Sequence, residues 1–285
     1  MGRVYWAART IQMAGERRRR CLLVMLVAAV AGVSTSAFPA QERDAKALWE
    51  QAIQAKGGRA RLEGVRNLVV TSRTESVLVT SRTTVERTPE RDWFSQWLYV
   101  FPGRRWQLID FRPGRPSFSL MAFDLDRRSW WNQTGGPLRW TEGQANVFRY
   151  EMLKGQFLYL LESAFLKPAL RRARTEKVGA TLMDIVETEM PMGVRVEYDL
   201  DPESHLPLRV VIVTSWEPPT AYTLSQYVDV DGLQMPTAVN FEGARSRNVV
   251  SYRINVGYDD KLFAETLRTP VAASALALPE AWEPK

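Results

Sequence analysis

From residue 42 to 56 apolar positions recur at helical spacing: Leu48, Trp49, Ala52, Ile53 and Lys56 follow i, i+4, with Ala45 one step below. Gly57-Gly58 ends that helix in the manner of glycines just past a C-cap. Leu62 and Val65 then lead into a strand near Leu68 to Ser72. Segments rich in Val, Thr and aromatic residues follow, namely Val77–Thr88, Trp93–Phe101, Arg105–Phe111, Ser117–Asp124 and Ser129–Asn132. Pro102-Gly103, Pro113-Gly114 and Pro116 punctuate them. Short strands divided by Pro/Gly turns predict an antiparallel meander, and the βαβ rhythm of a parallel sheet is absent.

The period changes between residues 143 and 175. Phe157, Leu160, Leu161, Ala164 and Phe165 form one apolar helical face, and Pro168 marks a break. Arg171, Arg172 and Arg174 follow, and read as a solvated helix face. Strands then resume: Met183–Glu189, the alternating 194–201, Leu208–Trp216, Tyr222–Val230, Met235–Glu242 and Val249–Val256. Asp231-Gly232 between two of them is a hairpin signal. The pattern predicts an α+β domain of about ten antiparallel strands, with helices at its front and middle. From about residue 269 the tail is Ala- and Pro-rich and is expected to pack loosely.

The first forty residues break this pattern. Arg17 to Arg20 precede thirteen uncharged residues, Cys21 to Val33, and then small residues, the order of a secretory signal peptide. The apolar run is shorter than a membrane span needs, although an uncleaved anchor is the competing reading. Cleavage after Ala37 suits the small-residue rule better than cleavage after Ala40. Met13 is an alternative start. Residues 41–285 then form a single domain.

This changes the charge argument. The chain carries a formal charge of +6, but residues 1–40 hold six of its 38 basic and one of its 32 acidic residues, leaving 32 and 31. The basic balance belongs to the leader and does not argue for nucleic acid. The remainder has no cysteine, so it must be held together by its core rather than by disulfides.

Candidate chemistry is scarce. With one His (His205) and one Cys (Cys21), the chain barely owns the residues that a zinc site, a Cys–His pair or a Ser–His–Asp triad needs. No phosphate loop, HExxH, CxxC or GxSxG occurs. His205 lies in the turn DPESHLP, where an exposed position is expected. Asp124 and Asp126 could form an acid–base pair. Four such Asp pairs (124/126, 199/201, 229/231, 259/260) at strand ends favour turn capping instead. No catalytic residue, metal or cofactor is expected. Asn132-Gln133-Thr134 matches a glycosylation triplet that bears only on a eukaryotic route.

The positive signal is aromatic. Trp93, Trp97, Tyr99 and Phe101 alternate on one strand, Trp106 and Leu108 on the next, and Trp130, Trp131 and Trp140 follow. One reading is an ordinary core. The other is the wall of an apolar cavity between a curved sheet and a helix laid across it. On that reading Trp93, Trp97, Tyr99, Phe101, Trp106 and Leu108 bind a ligand from the sheet, and Phe157, Leu160, Leu161 and Phe165 bind it from the helix. Each methylene moved from water into such a cavity is worth about 0.8 kcal/mol, so a chain could bind without a charged anchor.

Four stretches, in order, carry a family resemblance. Ala55-Lys56-Gly57-Gly58 with Leu62 and Val65 resembles AxGGxxxLxxI. Asp201-Pro202 through Leu206-Pro207-Leu208-Arg209 resembles DPxTxLPxR. Tyr227-Val228-Asp229-Val230-Asp231-Gly232 through Pro236-Thr237 resembles YxxVDGxxxPT, and Ile254-Asn255 through Asp259-Asp260-Lys261-Leu262-Phe263 resembles INxxxDDxLF. The arrangement resembles the LolA-like (lipoprotein carrier) superfamily of the bacterial envelope. That resemblance implies an unclosed antiparallel half-barrel wrapped around covering helices, no catalysis, and lipid or acylated protein as partner. A periplasmic monomer acting as a carrier or sorting factor is the expectation that follows. The alternative is a sensor of the same fold that touches an envelope-membrane partner transiently through the 143–175 stretch.

Overall fold

The helices begin where side chains take up their free amides. In the computed structural model, Asp44 accepts from the amides of Lys46 and Ala47 at 2.9 and 3.1 Å and caps α1 (Ala45–Lys56). Gly57, at φ 125°, ends it, with the Gly57 and Gly58 amides returning to the carbonyls of Gln54 and Ile53. A short helix α2 (Arg59–Gly64) follows, where the sequence pattern suggested only a lead-in to a strand. Thr141 and Gln144 form a reciprocal capping box at the start of α3 (Glu142–Tyr159). The structure describes residues 41–79, 85–87, 93–111, 119–132, 136–138, 140–243 and 246–263, all within one compact unit, Phe38–Lys285. The leader reading, Met13, Cys21 and the tail from 269 lie outside the described residues.

Apart from two short 3₁₀ turns, Pro191–Gly193 and Asp260–Phe263, the remaining described elements are strands of a single sheet. They are β1 (Gln41–Arg43), β2 (Asn67–Val79), β3 (Val85–Arg87), β4 (Trp93–Val100), β5 (Arg104–Phe111), β6 (Ser119–Asp124), β7 (Ser129–Asn132) and β8 (Gly136–Pro137). After α3 come β9 (Ala169–Val178), β10 (Thr181–Met190), β11 (Val194–Leu200), β12 (Pro207–Val213), β13 (Thr220–Val230), β14 (Leu233–Phe241) and β15 (Ser246–Ile254). The spatial order is β1-β9-β10-β11-β12-β13-β14-β15-β2-β4-β5-β6-β7-β8, with β3 paired to β2. Every pairing is antiparallel, and the path ends at β1 and β8 without closing.

The described residues thus form fifteen strands rather than about ten. Part of the excess is short: β1 and β8 have too few residues to show a period. The rest comes from the expected helix over 143–175, which stops at Tyr159. Leu161 turns to φ 66° and the chain becomes irregular before β9. Arg171, Arg172 and Arg174 therefore stand on a strand, not a helix. They face carboxylates across and along it: Arg171 meets Glu189, Arg172 meets Glu187 at 2.6 Å, and Arg174 meets Glu176, Glu187 and Glu197. A strand carrying charges at neighbouring positions hides its period when read alone.

Helix α3 reaches strands far apart in the sheet. Phe148 stacks on Phe123 of β6 at 4.3 Å, and the Phe157 carbonyl accepts from the Tyr198 hydroxyl of β11 at 3.0 Å. β6 and β11 are eight strand spacings apart, roughly 38 Å on a flat sheet. Phe148 and Phe157 are only about 14 Å apart along the helix. A sheet bent around the helix brings both strands within reach. The main core fills this bend, where α1 packs Trp49 on Tyr198 at 5.2 Å. A second core lies on the outer face of β2, β4, β5, β6 and β7. It is built from Val69, Leu98, Trp106, Leu120 and Trp131 and covered by Leu262 and Phe263.

Candidate binding cavity

The two faces of β4 are assigned by its pairing with β5. Trp97 lies opposite Gln107 and Tyr99 opposite Arg105, while Leu98 lies opposite Trp106. Cross-strand partners share a face, so Trp97, Tyr99 and Arg105 look inward to α3 while Trp106 and Leu108 look outward. Beneath α3 a cavity of about 270 Å³ opens against the sheet. Ser72 and Thr74 of β2, Ser95, Trp97 and Tyr99 of β4, Arg105 of β5, Tyr222 of β13, Val239 of β14, and Asn248 and Val250 of β15 form its sheet side. Glu151, Lys154, Gly155, Leu158 and Tyr159 form its helix side. A hollow of about 860 Å³, lined by Val147, Tyr150, Met192, Trp216 and Glu217 among others, shares Glu151 and Lys154 with it. Val147 and Trp216 are 57% and 47% exposed, so apolar surface stands open there.

The sequence-predicted residues separate into groups. Trp97 and Tyr99 line the cavity. Phe101 is buried in the main core next to Tyr99, at 6.2 Å between ring centres. Phe157, Leu160 and Leu161 are fully packed into that core. Phe165 is 41% exposed, with the Arg66 guanidinium over its ring at 5.7 Å. Trp106 and Leu108 belong to the outer face. The Trp93 side chain lies outside the described residues. Trp130 and Trp140 gather with Phe123 around Phe148 near the start of α3.

Sequence reasoning passed over the polar part of the cavity. Buried Arg105 donates from Nη1 to Glu151 Oε2 at 2.7 Å and lies over the Tyr99 ring at 5.2 Å. Lys154 holds its Nζ 5.3 Å from the Tyr222 ring centre. Burial alone would lower the Lys154 pKa, but Glu151 and Tyr222 outweigh it and the net shift is upward, so the ammonium stays charged. Burial raises the Tyr99 and Tyr159 phenols, which stay protonated. The signal that could have found Arg105 is its parity. It is two residues past a Pro-Gly turn, which sets it opposite Tyr99.

The aspartates act in turns. Asp124 accepts the Asp126 and Arg127 amides, both at 3.0 Å. Asp201 accepts those of Glu203 and Ser204, Asp229 that of Gly232, and Asp259 that of Lys261. Asp199 differs: it is buried and paired with Arg209 at 3.0 Å, and burial pushes its pKa up to about 6 against the pull of Arg209. His205 is half-buried in its turn at φ 57°, not exposed as the motif suggested. Among the described residues no group of three or more His, Cys, Asp or Glu is placed to hold a metal. None of their helices is long and apolar enough to cross a membrane.

No protein-family model matches the chain, and no curated protein does. Among solved structures it is similar to a LolA superfamily protein from Nitrosomonas europaea, at 14% identity and a TM-score of 0.45, covering 78% of this chain and 97% of that one. A DUF1329 family protein from Desulfovibrio piger is similar at 12% identity and a TM-score of 0.36, covering 77% and 96%. A domain described as outer membrane lipoprotein-sorting, from Vibrio parahaemolyticus, is similar at 14% identity and a TM-score of 0.39, covering 79% and 99%.

Proposed function

We propose that this chain binds a hydrophobic or acylated ligand, a lipid or the lipid-modified end of a protein, between the inner face of its sheet and α3. It does so as a carrier or sorting factor of the bacterial envelope, exported to the periplasm by its N-terminal segment and working as a monomer without catalysis. The observation that carries the reading is the cavity itself. Trp97, Tyr99, Leu158, Tyr159, Val239 and Val250 leave about 270 Å³ unfilled in the bend of the sheet. Interiors normally pack to crystal-like density, so a hollow whose walls include these large apolar side chains is a place for a guest. At about 0.8 kcal/mol per buried methylene, a modest acyl chain supplies useful affinity. The four motif stretches that resemble the LolA-like superfamily support the same reading, and the charge block with its apolar run before residue 41 supports export.

Native mass spectrometry of the protein purified from an envelope fraction tests this. The expected result is a mass increment that disappears on organic extraction and matches a lipid. Protein that stays ligand-free, and takes up no fluorescent fatty acid after delipidation, would overturn the reading.

A further inference from the structure

The cavity is more cationic than an apolar binding pocket requires. Arg105 is 5% exposed, gives one N–H to Glu151, and leaves its Nε without a hydrogen-bond partner among the described residues. Lys154, one turn after Glu151 on α3, has no carboxylate within ion-pair distance among the described residues; its Nζ rests over Tyr222 instead. Glu151 is the one carboxylate lining this cavity among the described residues, so two cations share a single acid. Two cations beside one carboxylate leave this part of the cavity with a net positive charge, and a net-positive pocket favours an anionic guest.

Resting on the binding reading above, we propose that Arg105 and Lys154 form a subsite for the oxyanion head group, a carboxylate or a phosphate, of the amphiphile whose chain lies along Trp97, Leu158 and Val250. An oxyanion between the guanidinium and the ammonium receives charge-assisted hydrogen bonds from both sides. It also relieves the excess of positive charge. Ser72, Thr74 and Asn248 line the same cavity and offer further polar contacts; Thr74 Oγ1 already donates to Asn248 Oδ1 at 2.6 Å.

Titration calorimetry of the delipidated protein with decanoate, decyl phosphate, decanol and decyltrimethylammonium, each below its micelle concentration, tests the proposal. Decanoate or decyl phosphate is expected to bind about ten-fold or more tighter than decanol, with the cation weakest; the stronger of the two anions identifies the head group. Lys154→Met, which keeps the Arg105–Glu151 pair, should lower the affinity for both anions several-fold more than that for decanol. Arg105→Gln combined with Glu151→Gln, checked for folding by circular dichroism, should do the same. Equal binding of decanol and the anions by the wild-type protein overturns the subsite while leaving the cavity reading intact. Inorganic phosphate or acetate binding as tightly as its decyl counterpart overturns it in favour of a small-anion site. If none of the four decyl compounds binds, the proposed function itself fails.

Discussion

Gly155 of α3 lies so close to the Tyr99 ring of β4 that a β-carbon at residue 155 would stand 2.4 Å from Cε1. The helix is seated on the sheet at this point by the absence of a side chain, and the depth of the seat sets the height of the cavity beside it. Gly155→Ala should force the ring or the helix to shift. Overpacking of this kind costs about 1–3 kcal/mol. Urea denaturation should show that loss, and fatty-acid uptake should fall, because the displaced ring moves into the cavity it lines. A variant as stable as wild type with unchanged uptake would mean that the helix seat does not define the site.

Two tryptophans on adjacent strands separate binding from stability. Trp97 is half-buried and borders the cavity, whereas Trp106 is 1% exposed in the outer core. Trp106→Ala should cost about 3–5 kcal/mol, as aromatic truncations in cores do, and leave the affinity of the surviving folded protein for a fluorescent fatty acid unchanged. Trp97→Ala should weaken that affinity and cost less stability. If both variants lose binding in proportion to stability, Trp97 is plain core.

The contrast also shows how much the sequence could say. Alternation within β4 assigns Trp97 and Tyr99 to one face, and Asp231-Gly232, both at positive φ, turns β13 into β14 as its residues suggest. The parity between β4 and β5 depends on the turn around Pro102-Gly103, whose register sets Trp106 and Leu108 on the other side of the sheet from Trp97 and Tyr99. β9 reads as helix because Arg171, Arg172 and Arg174 show no apolar period, and the glutamates at 187, 189 and 197 that pair with them come from later strands. Arg105 and Lys154 went unnoticed for a related reason. Charged residues read as surface until the structure buries them beside a partner from a distant element.

The β9 arginines should matter little individually. Arg171 and Arg172 are exposed and their partners sit at or near the surface. Such exposed pairs contribute little to stability and are screened by salt. Arg171→Ala and Arg172→Ala should therefore shift the urea midpoint only slightly, and less in high salt. If crosslinking to an envelope partner is lost in these variants while stability holds, the strand serves as a contact surface, as the sensor reading requires.

Lys56 closes α1 with its amine in the main core. It is 2% exposed, its Nζ donates to the Gln234 carbonyl, lies 3.6 Å from Met235 Sδ, and stands 5.5 Å from the Tyr227 ring centre. Burial lowers its pKa from the ordinary 10.5 to about 7. Between those values the unfolded chain holds the proton and the folded protein does not. Stability from this residue is therefore present above pH 10.5 and is lost progressively as pH falls toward 7, by an amount on the order of a few kcal/mol. Lys56→Met fills similar space without a titrating group. It should be more stable than wild type at pH 7, with the gap narrowing as pH is raised toward 10. The difference between the two proteins isolates this residue, because the buried tyrosines titrate in both. Chemical denaturation of the pair across that range gives the answer: a stability difference that stays flat with pH would mean that Lys56 keeps its proton inside the fold.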